Sequence, residues 1–298
     1  MFQKAERKKA RLRLALCGPA GSGKTYSALQ IAQGLGGRVA LIDTEHESGS
    51  LYADLCEFDT APITPPYTPD KYRAAITAAE TAGYSVLIID SFSHAWAGEG
   101  GLLDMHDKAT AATRSGNSYT AWREITPQHN ALVESVLGAR LHVIATLRTK
   151  TAYDLIDDGN GKKKPVKIGL APIQREGVDY EFTTVLDLSI DGHVATATKD
   201  RTRLFDGKHF VPGIETGQAL MSWLESGVDG EAIERAAVDA MTNRIEEVTS
   251  IFELRNWWKK HQTDIESLTS ASQQMVVSAK ERKKAALEKG EVKDGALV

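Results

Sequence analysis

Gly18-Pro19-Ala20-Gly21-Ser22-Gly23-Lys24-Thr25 sets glycines, a lysine and a hydroxyl at the spacing G-x-x-x-x-G-K-[ST]. Glycines let a backbone curl until successive N–H groups point inward at phosphate oxygens. A helix opening at Lys24 would add the positive end of its dipole. Lys24 would reach the outer phosphates, and the Thr25 hydroxyl would ligate Mg²⁺. Val86-Leu87-Ile88-Ile89-Asp90 is an apolar run that delivers a carboxylate to its C-terminal end. With Thr25 it could hold the Mg²⁺ shell. Leu41-Ile42-Asp43-Thr44-Glu45-His46 ends another apolar run with two carboxylates. Either could orient water for in-line attack on a terminal phosphate, with His46 a neighbour.

These groups need a scaffold that brings separate strand ends together. Strand-length apolar runs are expected at Leu12–Cys17, Val39–Thr44, Val86–Ser91, Leu141–Leu147, Thr183–Ile190 and His193–Thr198. Between the first four lie helical stretches, Lys24–Leu35, Pro69–Ala82 and Ala121–Leu137. That alternation predicts a mainly parallel sheet covered on both faces. Asp191-Gly192 predicts that the sheet ends in an antiparallel hairpin. Two long segments, Phe92–Thr120 and Thr149–Asp179, break the rhythm and are expected to be long loops, functional or disordered. The chain divides into a basic arm (1–13), a core (14–227) and a helical region with a frayed tail (228–298). In the last, Val238, Met241, Ile245, Val248, Phe252 and Trp258 recur at helical spacing, and a second helix is expected over Ala271–Leu287.

The 298 residues carry 36 Lys+Arg against 40 Asp+Glu, a formal charge of −4. That balance excludes a protein coated in positive charge but not a local basic groove. Arg148–Arg175 holds seven basic residues against three acidic ones. Arg148, Lys150, Lys162, Lys163, Lys164, Lys167 and Arg175 could neutralise a polymer's phosphates, and the basic arm could add to this. Stacking partners there are sparse: Tyr153 in this loop, Trp96 and Tyr119 in the other. Cys17 and Cys56 suit neither a zinc site nor a disulfide framework, which suggests a reducing compartment. No apolar run is long enough for a transmembrane helix, and Arg11 and Arg13 interrupt any secretory signal. A cytoplasmic protein is expected.

The order of P-loop, Glu45 at the next strand, Asp90, then Leu141–Leu147 resembles the RecA/Rad51 recombinase family. The resemblance extends to a phage group of AAA-type nucleotide-binding proteins that includes Sak4-type single-strand annealing recombinases. It rests on the P-loop, Ile42–His46, Leu87–His94, Tyr119–Pro127 and Thr146–Lys150, and covers roughly residues 12–226. It implies an α/β fold: a RecA-like P-loop NTPase core with a mainly parallel sheet flanked by helices, plus a small C-terminal helical extension. It implies ATP and Mg²⁺ as cofactors, Glu45 as catalytic base, and loops after the third and fourth strands that face single-stranded DNA. Lys199, Arg201 and Arg203 become candidates for trans-acting fingers on a neighbouring subunit's phosphates, in a ring or filament. Phe2-Gln3-Lys4-Ala5 matches the short pattern by which such relatives dock on the next protomer. The family's γ-phosphate-sensing Gln is missing from the fourth strand, leaving Thr146 and Arg148 as sensor candidates.

The resulting expectation is an ATP-hydrolysing phage recombination protein that binds single-stranded DNA and promotes annealing or strand exchange as an oligomer. A helicase or packaging-type motor, a P-loop kinase and a nucleotide-gated scaffold without significant turnover compete with it. ATP is preferred over GTP because no Asn-Lys-x-Asp motif occurs. Trp257-Trp258 reads as the core of a helical pair, or as a docking surface for a single-stranded-DNA-binding protein.

Overall fold

The computed structural model describes residues 4–112, 118–157 and 163–294; of these, the side chains of 152–157, 163–168 and 290–294 are outside the description. The described residues form two compact units, 10–226, and 227–294 together with 4–9. In the larger unit the order is β1 (Arg13–Gly18), α1 (Lys24–Leu35), β2 (Val39–Asp43), β3 (Asp59–Pro62), α2 (Pro69–Thr81), β4 (Val86–Asp90), α3 (Ser93–Ala97), α4 (Leu102–Ala112) and α5 (Ser118–Gly138). There follow β5 (His142–Asp157), β6 (Lys163–Pro172), β7 (Thr184–Leu188), β8 (Ala195–Asp200), β9 (His209–Phe210) and α6 (Ile214–Glu225). The sheet runs β3-β2-β4-β5-β1-β7-β8-β9, parallel from β3 to β7 and antiparallel after it, with β6 paired to β5 alone.

Strand alternation sorts the core into two faces. Ala15, Cys17, Leu87, Ile89, Val143 and Ala145 pack with Tyr72 and Ile76 of α2 and Leu132 and Val136 of α5. Leu14, Leu16, Leu41, Val86, Ile88 and Ile144 pack with Leu29 and Ile31 of α1 and Leu220 and Leu224 of α6. The same period aims Asp43, Asp90 and Thr146 at the α1 face, because each follows a residue of that set by two positions.

The two expected loops are mostly regular. Phe92–Thr120 contains α3, α4 and the start of α5. In α4 only Leu102 and His106 are buried, so its apolar period is too thin to read from sequence. Thr149–Asp179 is largely the β5–β6 hairpin, in register from Thr149–Pro172 to Asp157–Lys163 with a shift at Ala152/Tyr153. Within the smaller unit the expected pair of helices is three: α7 (Gly230–Glu247), α8 (Ile251–Glu266) and α9 (Ser270–Asp294). Ser250 breaks the first by capping α8, its side chain accepting from Glu253 N at 3.2 Å. Trp257 and Trp258 pack against a core of Val238, Ile245, Leu254 and Val276. The basic arm is partly tied down: Lys9 N donates to Val228 O and Val228 N to Arg7 O, at 2.9 and 2.8 Å. Of Phe2–Ala5, Phe2 and Gln3 lie outside the described residues. No helix among the described residues is long and apolar enough to cross a membrane.

Helices α1 and α6 meet backbone to backbone. A Cβ on Gly34 would lie 2.1 Å from Ile214 O, and one on Gly217 would lie 2.1 Å from Ile31 O. Gly34→Ala or Gly217→Ala should cost about 2–3 kcal/mol in urea unfolding, although alanine is intrinsically better in a helix by ~1 kcal/mol. Gly138→Ala, with nothing within 4 Å of its Cβ, should be neutral or stabilising. Beneath the sheet, His142 accepts from Leu12 N through Nδ1 at 3.0 Å, and burial followed by Arg11 and Arg13 lowers its pKa to about 4. The unfolded chain therefore binds the extra proton first. This contribution to stability is complete above about pH 6.5 and is lost as pH falls toward 4, by about 3 kcal/mol. His142→Asn should flatten that part of a melting-temperature profile measured between pH 7 and 4.

Candidate functional site

The P-loop closes β1 and opens α1 at Lys24. Gly21 and Gly23 hold φ of 78° and 83°, values that bring the loop back over the helix end and that side chains resist. No side chain caps α1 and its first turn carries no acid, so its N–H groups and positive dipole end are uncompensated. Ser22 is fully buried, and its Oγ has no hydrogen-bond partner among the described residues. Lys24 Nζ folds back onto Pro19 O at 2.8 Å. Burial pushes the Lys24 ammonium below the usual lysine range, while the Asp90 and Glu45 carboxylates oppose that shift. Ala20 is exposed at the loop's crest.

Asp90 sits at the centre. Its register neighbour is Asp43 on one side, and on the other the Ile89–Ala145 pair places Thr146 one step further on. Thr25 donates to Asp90 Oδ2 and Thr146 to Asp90 Oδ1, each at 2.5 Å. Burial pushes the Asp90 carboxyl up, and the Thr146 and Thr25 hydroxyls pull it back. A buried carboxylate next to a hydroxyl at a helix N-terminus is the hard-oxygen donor set that Mg²⁺ with a phosphate takes. No group of three or more His, Cys, Asp or Glu among the described residues could hold a metal by itself. Thr25 and Asp90 therefore suit a metal that arrives with the nucleotide's own oxygens.

The two carboxylates after β2 separate in role. Asp43 is buried and accepts from the backbone N–H of Glu45 at 2.6 Å and of Gly49 at 2.8 Å, so it shapes the loop. Glu45 Oε1 lies 2.9 Å from both Nε and Nη2 of Arg148. His46 instead holds positive φ, 57°, in the turn beyond. Thr44 Oγ1 accepts from Ser91 N at 2.8 Å and meets His94 Nδ1 at 2.7 Å; burial lowers the His94 pKa, so the ring is neutral at pH 7.

Arg148 joins three segments. Its N–H donates to Ser93 Oγ at 3.0 Å, its guanidinium grips Glu45, and its carbonyl accepts from Ile173 N at 2.7 Å at the root of the β5–β6 hairpin. Lys150 is exposed on β5. Lys163, Lys164 and Lys167 lie on β6 with side chains outside the description, and Lys162 lies outside the described residues. Lys199 and Arg201 both donate to Tyr180 O, and Lys199 also to Asp179 O, so they clip the turn at 178–181. Arg203 stands apart, exposed, after β8 at φ 62°.

Three neighbours escaped the sequence reading. Gln174 is buried beside the site, its Nε2 donating to Phe92 O at 3.4 Å, and it comes from the far end of the basic segment rather than the fourth strand. His193 packs over the P-loop, its Nδ1 3.2 Å from where a Cβ on Gly23 would stand. The Asp191-Gly192 turn was the signal that could have placed it there. Trp122 joins Trp96 and Arg175 in a groove beside the hairpin root.

Thr146→Val keeps the shape but leaves Asp90 Oδ1 without its donor. It should lower the stability of the nucleotide-free protein by about 1–3 kcal/mol, read as a shift of the urea midpoint at unchanged slope.

No curated protein matches the chain. Residues 10–213 match a family model described as an AAA domain, which spans more than half of the sequence and includes every strand that builds the site. With a P-loop on β1, a buried acid on β4 and helices on both faces of a mostly parallel sheet, the chain belongs to the AAA domain family of P-loop, nucleotide-binding ATPases.

Proposed function

We propose that this protein is an Mg²⁺-dependent ATPase whose turnover answers to single-stranded DNA, and that it serves phage recombination by annealing or strand exchange as an oligomer. The observation that carries this reading is the double engagement of Arg148. The residue that grips Glu45 also anchors the root of the basic hairpin. A polymer bound along the hairpin would thus act on the carboxylate that activates water.

In the hydrolysis step, water attacks the γ-phosphorus in line, its proton passes to Glu45, and the bond to ADP breaks. Glu45 must leave Arg148 to accept that proton, and Arg148 is then released toward the developing charge, the sensor role. Lys24 unfolds from Pro19 O onto the outer phosphates. Thr25 and Asp90 would hold Mg²⁺, which when bound neutralises phosphate charge. Thr146 orients Asp90. Arg203 is the best placed of the three trans-acting candidates, because Lys199 and Arg201 already serve the turn at 178–181. One observation favours a second reading, a nucleotide-gated scaffold: with Glu45 paired to Arg148, the base is occupied.

ATPase rate with and without a single-stranded oligonucleotide, read beside oligomer size, separates the two. The proposal expects faster turnover and larger assemblies with DNA; no change in either favours the scaffold. Lys24→Ala should abolish hydrolysis. Glu45→Gln should retain ATP binding and lose about 10²–10⁴-fold in kcat.

A further inference from the structure

Beside the hairpin root lies an open groove of about 1290 Å³. Its wall is a column of nearly parallel rings. His106 stacks on Trp122 at 4.2 Å between centroids and 21°, and Trp122 on Trp96 at 5.8 Å and 16°. His106 is buried and held through Nε2 by the Ser118 carbonyl at 3.1 Å, so the column is rigid. Tyr119 and Tyr180 stand on the rim, 83% and 70% exposed.

The groove is also lined by a cation. The Arg175 guanidinium lies 5.5 Å over the Trp122 ring and donates through Nη2 to Thr126 Oγ1 at 3.3 Å. Pro127, inside α5, has no N–H and leaves the Arg123 carbonyl without its helical donor; both residues line the groove.

Planar faces beside a guanidinium match the face and edge of an unstacked nucleobase. An apolar peptide would use the rings but not the guanidinium. The groove also adjoins the basic strand pair, because Arg175 follows β6 by three residues. We infer that this groove is a base-binding site in which a nucleobase of single-stranded DNA stacks on the Trp96–Trp122 column beneath Tyr119, with its acceptor edge on Arg175. The inference rests on the proposed single-stranded DNA reading and adds a contact with bases to the contact with phosphates.

The test uses the full chain and two fluorescent oligonucleotides of equal length and charge, one of thymidines and one in which abasic sites replace the bases. The proposal expects the thymidine strand to bind more tightly by about 5- to 150-fold, the span expected for stacking one base on an aromatic ring. Tyr119→Ala, at an exposed position, should shrink that ratio while leaving abasic affinity and its salt slope in place; Arg175→Gln should shrink it too, beyond whatever it costs the abasic strand. Trp122→Phe, which keeps a ring in the column, should shrink it less than Trp122→Leu. Equal affinity for the two strands in the wild type overturns the base site while leaving phosphate binding intact. Binding of neither strand overturns the DNA reading and the base site together. A preference for thymidines that all the variants keep also overturns the site.

Discussion

A charged carboxylate buried among three elements governs this architecture. Asp90 is 3% exposed, and removing it from water raises the cost of its charge. Only neighbours that donate to both oxygens make it tolerable, and Thr25 on α1 and Thr146 on β5 do so. That requirement fixes the order of the central strands. β5 must lie between β4 and β1 for Thr146 to reach Asp90, and α1 must start where β1 ends for Thr25 to do so. The helix bearing the phosphate loop is thus tied to the sheet through the acid that would hold the metal.

β5 works at two levels. Its first half is buried core, paired on both sides with parallel neighbours. Beyond Arg148 it leaves the parallel sheet and pairs with β6. Arg148 stands at that transition, where backbone geometry is held by Ser93 and Ile173 and the side chain reaches across to Glu45. The exposed ion pair with Glu45 is weak enough to exchange, since pairs of this exposure are worth about 1 kcal/mol or less.

The sequence was most legible where local and tertiary preferences agree. Helix α1 has the bounds read from it, and the apolar runs ending at Asp43 and Asp90 lie within a residue of their strands, because both faces are buried and the glycine and aspartate punctuation is unambiguous. The β5–β6 hairpin was read as a loop because its two strands are hydrogen-bonded to each other and carry no continuous apolar face. The break at Ser250 was visible as Ser-Ile-Phe-Glu, an N-cap with an acid three residues on, but the apolar period runs straight through it. Gln174 was not legible and His193 only through the turn that precedes it, since each reaches the site only when distant strands close, the first through the hairpin's return and the second through the pairing of β7 with β1.

The contact between Gly34 and Gly217 sets where motion is allowed. Two helices that touch through side chains can slide by changing rotamers. Two that touch through carbonyl oxygens and α-carbons have no such cushion, because hard-sphere repulsion rises within a few tenths of an ångström. The C-terminal end of the helix that follows the phosphate loop is therefore seated stiffly on α6, whereas Glu45, Arg148 and the hairpin root are joined by polar contacts that can be remade. The larger unit is in this sense asymmetric in compliance, with a backbone-locked helix pair on one side of the sheet and an exchangeable polar rim at the strand ends.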